Sequence, residues 1–330
     1  MSEHDVTFEA MGSHVRLLIG EPGSRALAPP AAAERARRFI VEFEQALSRF
    51  REDSELSALN ADPRREVPAS GLLREAVKAG LWAAQQSGGL VDPTLVGEIE
   101  AAGYRSSRAG APAAPIGAAL EDAPPRRPAA PHPDARWRAV RVDEIRGTII
   151  RPAGVRFDTG GAGKGLAADL VAGQLRRHAR FLVDCGGDIR IGGEQAAAWP
   201  YEVQVEHPLT GERAYVLHLG SGGVATSGIN VRIWREPDGS YAHHLLDPAT
   251  GKPAWTGLVG VTALGKTALE AETLSKAALL AGPEGGRELL ARRGGLLVHD
   301  HGRVELVGSL SVRPRIKLPE NFESTAKVAA

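Results

Sequence analysis

The stretch Phe157-Asp158-Thr159-Gly160-Gly161-Ala162-Gly163-Lys164-Gly165-Leu166-Ala167-Ala168-Asp169 constrains this chain more than any other. It reads as the end of a strand running through a glycine-rich turn, with a lysine in it, into a helix. Glycines let a backbone approach an anion closely, the first N–H groups of a helix point outward at it, and the helix dipole and a lysine add positive charge. The layout therefore suits a phosphate. It is not a Walker A loop, because Asp158 stands where that motif has its first glycine and Gly165 where it has Ser or Thr. Nor is it the dinucleotide fingerprint, because Leu166 follows the Gly161-x-Gly163 pair where glycine or alanine is needed. A tight strand-to-helix connection without a ligand would use the same residue types, so the rest of the chain has to decide.

The rest of the chain predicts strands and helices in separate blocks. Val6–Phe8 and His14–Ile19 form a hairpin around Met11-Gly12, and Pro30 suits the first turn of a helix reaching about Arg49, with Ala33, Ala36, Ile40, Phe43 and Leu47 at helical spacing. Ser70 caps a second long helix to about Ser87. A hairpin at 139–151 precedes the strand Val155–Asp158, which delivers the glycine turn, and a helix from Lys164 to about His178 carries Leu166, Leu170, Val171 and Leu175 on one face. Strands at 181–183, 201–205 and 215–219 follow, then a helix at 268–281, a short helix at 284–292 and a strand at 296–298. Such blocks argue for α+β rather than a doubly wound sheet. Seven prolines lie between Pro112 and Pro133 in a stretch rich in Ala and Arg. The segment 105–138 is accordingly expected to be a surface excursion with no core of its own, unable to propagate a helix or a central strand, within a single domain spanning 1–330.

Forty basic side chains balance forty acidic ones, so no net field favours nucleic acid or an anionic membrane. An anionic ligand must be held by a local site. No apolar run is long enough to span a bilayer, and the polar start Met1-Ser2-Glu3-His4-Asp5 lacks the features of a signal peptide. With Cys185 as the single cysteine no intrachain disulfide can form, which fits a reducing cytoplasm, the expected location.

Other short segments agree with the glycine turn, and in a particular order. They are Ala10-Met11-Gly12-Ser13, the run from Leu47-Ser48-Arg49-Phe50 to Asn60, Val91-Asp92-Pro93-Thr94, Asp184-Cys185-Gly186-Gly187-Asp188, Ala225-Thr226-Ser227-Gly228 and His244-Leu245-Leu246-Asp247-Pro248-Ala249-Thr250-Gly251. Together with the glycine turn they resemble the ApbE family, the FAD:protein FMN transferases, over nearly the whole chain. The resemblance implies an α+β fold of antiparallel sheets with packed helices, T-fold-like in architecture. It also implies FAD as substrate, Mg2+ as cofactor, and an acceptor protein whose Ser or Thr receives FMN. Many relatives are exported lipoproteins with a cysteine after a leader, an arrangement this sequence does not show.

Each candidate residue has a plain role beside the functional one. Lys164 could be a solvated first-turn lysine, although a cation at a helix N-terminus opposes the dipole and asks for an anion; the resemblance makes that anion the FAD diphosphate, gripped with Gly160 and Gly161. Asp158 either caps the turn or orients it around the nucleotide. His244 follows a strand-like run and takes the family's histidine position, with His243 on the opposite strand face. Moving FMN to a hydroxyl requires proton removal from an alcohol, for which a histidine near neutrality is apt. Asp247 is expected to hold the Pro-Ala-Thr-Gly turn. Met11, Phe50, Asp92, Asp188 and Ser227 are nucleotide contacts on resemblance alone, the first two being of types more often found in cores.

One departure concerns the metal. The resemblance places Mg2+ at Ala162 and at two positions of the late helix, where relatives have Asp and Thr and this chain has Glu272 and Lys276. An ammonium ion cannot ligate. Either Glu272 and Lys276 form an ion pair on a helix surface, or Lys276 puts its own cation where relatives put the metal. The expected function is FAD:protein FMN transfer with His244 and Lys164 as catalytic residues. The alternatives are FAD hydrolysis at the same site and flavin binding without chemistry.

Overall fold

The computed structural model describes residues 3–310 and 327–329. Its spine is an eight-stranded sheet whose strands lie side by side in chain order, each antiparallel to the next. The strands are His4–Ala10, Ser13–Ile19, Phe181–Cys185, Asp188–Gly192, Gly222–Gly228, Leu258–Gly265, Gly295–His299 and Val304–Val307. The helices fall into the longer connections. Between the second and third of these strands come α1 (Pro29–Leu47), α2 (Glu55–Ala61), α3 (Gly71–Gln86), α4 (Val96–Ala101), α5 (Ile116–Glu121) and α6 (Gly163–Leu175), and between the sixth and seventh comes α7 (Ala268–Leu290). The fold is α+β, as the blocks of strand and helix imply.

Local signals explain most boundaries. Prolines occupy the first turn of α1, whose buried stripe includes Ala33, Ala36, Ile40, Phe43 and Leu47. The Ser70 hydroxyl accepts from the Leu73 N–H at the start of α3. In α7 the helix breaks at Gly282, where φ is +73°, and Pro283 starts the last two turns. One expectation fails in an instructive way. α6 buries Leu166, Ala167, Ala168, Val171, Ala172 and Leu175, more than one face, because it is held between the sheet and α1, α3 and α7. Small side chains permit that enclosure. A Cβ on Gly165 would sit 2.7 Å from the backbone of Ala268, so glycine is what lets α6 and α7 touch. Asp169 of α6 then fixes their relative position by accepting from the N–H groups of Ala268 (2.9 Å) and Leu269 (3.0 Å), serving as an N-terminal cap supplied by a neighbouring helix.

The Pro- and Ala-rich stretch differs from expectation in one respect. Its proline-free window forms α5, with Pro115 at the N-cap and Ala119 wholly buried. Backbone bonds tie the stretch to the body: Ala114 N–H to Ile233 O, Arg127 N–H to Trp255 O and Ala129 N–H to Leu280 O. Prolines forbid regular structure only where they stand, and their own carbonyls and neighbours remain free to bond elsewhere.

Candidate active site

The glycine turn lies where α6 and α7 meet. Contrary to expectation, residues 155–158 pair with no strand and form an extended segment instead. Their backbone is satisfied by other means. The Asn60 amide bonds both the N–H and the C=O of Phe157 (2.7 and 2.8 Å), and the Asp158 N–H donates to Pro93 O (2.8 Å). Within the turn, Gly160 N–H donates to Asp158 Oδ1 (2.9 Å), Gly163 N–H to Thr159 O (2.7 Å) and Gly165 N–H to Glu272 Oε2 (2.8 Å). Much of the turn's donor capacity is therefore used inside the protein, so less of it can face an anion than its composition suggests. Asp158 caps the turn through Gly160, one of the two roles expected of it, and in addition pairs with Arg49 at 3.1 Å.

Two adjoining compartments open beside the turn. One, of about 150 Å3, is walled mainly by apolar side chains such as Leu90, Leu95, Ile99 and Leu280, and carries Asp92, His244 and Lys276 on its lining. The other, of about 420 Å3, is lined by Met11, Ser48, Arg51 and Lys164 among others. Both share Arg49, Phe50, Tyr104, Asp158, Gly160 and Arg232, which form the junction. Arg49 is fixed there, its guanidinium 4.1 Å over the Phe50 ring and 4.8 Å over that of Tyr104, with a bond to Tyr104 O at 2.8 Å.

The charges of the site are mostly paired. Lys164 Nζ lies 2.7 Å from Asp188 Oδ2 and donates to Gly186 O at 3.0 Å. Burial works against this ammonium, but Asp188 and Glu272 outweigh it and raise its pKa. Glu272 is wholly buried, and its Oε1 lies 2.6 Å from Lys276 Nζ. Its own pKa is raised by that burial, with the two lysines opposing the shift. The ion pair therefore belongs to the interior and not to a helix surface. Both oxygens of Glu272 are committed, one to Lys276 and one to Gly165, and the Ala162 carbonyl accepts from Leu166 N–H (3.2 Å). Among the described residues no group of three or more His, Cys, Asp or Glu is placed to hold a metal ion. The residues at Ala162, Glu272 and Lys276 thus do not fit Mg2+, because an ammonium ion already sits on the carboxylate that would ligate it.

His244 is half-buried and lines the apolar compartment. Its Nδ1 faces Arg232 O at 3.4 Å, a long contact that favours the proton on Nδ1 and leaves Nε2 as the basic nitrogen. Burial, then the Arg232 cation, lowers its pKa well below the ordinary value, so the imidazole is neutral at pH 7. His243 points away and is wholly buried, its ring edge-on to Trp255 at 4.8 Å. Asp247 holds the turn, accepting from Ala130 N–H (2.9 Å), Ala249 N–H (3.1 Å) and the Thr250 hydroxyl (3.0 Å). Asp92 accepts from the Thr94 N–H (2.8 Å) through Oδ1, while its buried Oδ2 has no partner among the described residues and burial raises its pKa.

Not every predicted residue lines the cleft. Met11, Phe50, Asp92, Asp158, Gly160, Gly161, Ala162, Lys164, His244 and Lys276 do. Asp188 lies beneath it as the partner of Lys164, and the Ser227 hydroxyl is buried against that of Ser275 at 2.7 Å. Sequence reasoning missed Arg232, Arg49 and Tyr104. For Arg232 a signal existed. Glu236-Pro237-Asp238-Gly239 is a turn sequence, and the hairpin it closes pairs Ile233 with His243, so the residues just outside, Arg232 and His244, stand opposite one another.

Comparison with known proteins agrees with this architecture. A model of the ApbE family matches residues 11–298, and the chain belongs to that family. Among its relatives is a protein of Treponema pallidum (strain Nichols) named FAD:protein FMN transferase, 30% identical over 274 residues that cover 79% of this chain and 74% of that protein. Another, of the same name from Escherichia coli (strain K12), is 26% identical over 301 residues, covering 87% and 80%. Of the solved structures, the ApbE protein of Thermotoga maritima superposes with a TM-score of 0.76 at 25% identity, over 94% of this chain and 98% of that one. The apo form of the Pseudomonas stutzeri flavinyl transferase ApbE has a TM-score of 0.73 at 24% identity and shares the fold over 93% of this chain and 95% of its own.

Proposed function

We propose that this chain is an FAD:protein FMN transferase, which moves the FMN half of FAD to a Ser or Thr hydroxyl of a partner protein and releases AMP. The observation that carries the proposal is a neutral imidazole on the lining of the apolar compartment, held against Arg232 of the junction, in a chain of this family. FAD is two ring systems joined by a diphosphate, and two compartments meeting at a cationic junction suit that shape. The unpartnered Oδ2 of Asp92 supports a ligand donor in the apolar compartment, since a buried polar atom without a partner marks a place where one belongs.

In the proposed reaction the acceptor hydroxyl oxygen attacks the FMN phosphorus. An O–P bond forms, the P–O bond to AMP breaks, and AMP leaves with the bonding electrons. His244 Nε2 takes the hydroxyl proton. Positive charge held near the junction stabilises the developing phosphoryl oxygens. Lys276 already neutralises Glu272, and we infer from this that the reaction proceeds without Mg2+. A free, buried Cys185 supports a reducing compartment such as the cytoplasm. Among the described residues no helix is long and apolar enough to cross a membrane.

The test is incubation with FAD and a candidate acceptor, followed by intact mass of both proteins and an AMP assay. A gain of one FMN on the acceptor with equimolar AMP is expected. AMP without mass gain would identify hydrolysis, and neither product would leave a flavin-binding protein.

A further inference from the structure

The cleft carries five basic side chains that reach its lining: Arg49, Arg51, Lys164, Arg232 and Lys276. Four are matched to carboxylates. Arg49 pairs with Asp158 at 3.1 Å, Arg51 with Asp53 at 2.8 Å, Lys164 with Asp188 at 2.7 Å and Lys276 with Glu272 at 2.6 Å. Arg232 alone among them has no carboxylate within ion-pair distance among the described residues, and it lines both compartments. A terminal nitrogen of its guanidinium lies 3.7 Å from where a Cβ on Gly12 would be, which sets it against the Met11-Gly12 turn at the rim of the second compartment. Its charge is felt on both sides, since it lowers the pKa of His244 and opposes that of Lys164.

An unpaired guanidinium between two ring-sized spaces asks for an anion that is planar-forked or phosphate-like in its oxygens. We infer that Arg232, and not Lys164 of the glycine turn, is the side chain that grips the diphosphate of the bound dinucleotide. The inference rests on the proposal that FAD is the ligand. A lysine already paired with a buried carboxylate adds little net charge to an incoming anion, whereas a free guanidinium adds its full charge and a pair of parallel donors. The backbone of the same residue accepts from His244, so the group that holds the diphosphate also sets the distance from phosphorus to base. Nothing in the glycine-rich motif itself points to this position.

Calorimetry with FAD, ADP and riboflavin on wild type, Arg232→Gln and Arg232→Lys tests the inference, with a far-UV spectrum and melting curve to confirm folding. Arg232→Gln should weaken FAD and ADP about tenfold or more, the usual scale for loss of a charge-assisted contact to phosphate, and leave riboflavin unchanged. Arg232→Lys should recover part of the loss. Unchanged FAD and ADP affinity in Arg232→Gln overturns the inference, as does an equal loss for riboflavin, which would mean damage to the cleft. If wild type binds ADP but no flavin, the FAD proposal falls while the ADP titrations still decide the role of Arg232. If wild type binds none of the three, both fall.

Discussion

The imidazole of one compartment and the glycine-turn lysine of the other are treated in opposite ways. In the apolar one, burial and the neighbouring Arg232 hold the His244 imidazole uncharged, while Lys276 on the same lining is matched to Glu272. In the second, charges stay ionised and are matched inside the protein, as Lys164 is to Asp188. The difference teaches which groups are free to act on a ligand. A neutral imidazole can accept a proton, and an unmatched guanidinium can bind an anion, but a lysine locked onto a buried carboxylate chiefly holds the fold together. Motif reading picks out the lysine because it stands in a glycine turn; the ligand-facing role we infer for Arg232 falls to a residue outside any glycine run.

The largest expected effect follows from Lys164. Asp188 is only 1% exposed, so Lys164→Ala would strand a buried carboxylate and should cost about 3–5 kcal/mol of stability, the usual scale for breaking one side of a buried pair. Urea unfolding measures it, and adding Asp188→Asn should restore much of the loss. If Lys164→Ala leaves stability alone and abolishes FAD binding instead, the lysine is not locked into the interior, and the contrast collapses.

His244 comes next. His244→Ala should lower FMN transfer about a hundredfold or more while changing FAD affinity little, as for a lost general base. The sign of its pH dependence is fixed by the lowered pKa. A base that is neutral at pH 7 stays neutral well into acid, so the wild-type rate should hold as pH falls from about 8 to about 6 and drop only below that. A rate that halves near the ordinary histidine pKa would mean that the apolar compartment does not keep its imidazole neutral. His243 is a poor control for such work, because it is wholly buried against Trp255 and its removal would open a cavity.

A smaller effect is expected from the metal. EDTA should leave wild-type transfer within about twofold, and Lys276→Thr should create a dependence on Mg2+ by freeing Glu272 Oε1. Strict Mg2+ dependence in the wild type, unchanged in Lys276→Thr, would show that the ion binds away from Glu272 and that the interior matching of charge is not what the cleft relies on.

How far the sequence carries depends on what each residue answers to. The cap at Ser70, the first-turn proline Pro30, the break at Gly282-Pro283 and strands such as Ser13–Ile19 and Phe181–Cys185 were legible because caps, ring closure and alternation act within a few residues. Central strands such as Asp188–Gly192 and Leu258–Gly265 did not stand out. The extended segment 155–158 was not legible as such, because its hydrogen bonds come from Asn60 and Pro93, far away in the chain. The same holds for the site. His244 and Asp158 stand in motifs, whereas the burial of the Glu272–Lys276 pair depends on Gly165 letting α6 approach α7. An i,i+4 spacing gives the pair but not what covers it.

The smallest expected effect lies beneath the second compartment, at Asp184. This side chain is 7% exposed, and burial raises its pKa to about 6 from 3.8, against the opposing pull of the Gly187 N–H bond (2.7 Å) and of Lys164. The folded chain then keeps a proton that the unfolded chain releases from about pH 4 upward, so stability falls as pH rises from about 4 to about 6 and levels off above. Asp184→Asn removes the titration and keeps an oxygen to accept from Gly187. The variant should exceed wild type by about 1 kcal/mol near neutral pH, below the ~2.7 kcal/mol that a two-unit shift would give without relaxation. The two should converge near pH 4, as urea midpoints across that range would show. If the wild type has no such slope, Asp184 is ionised in the fold and shares Lys164 with Asp188. Lys164 would then be more completely claimed by the interior, leaving still less of its charge for a phosphate.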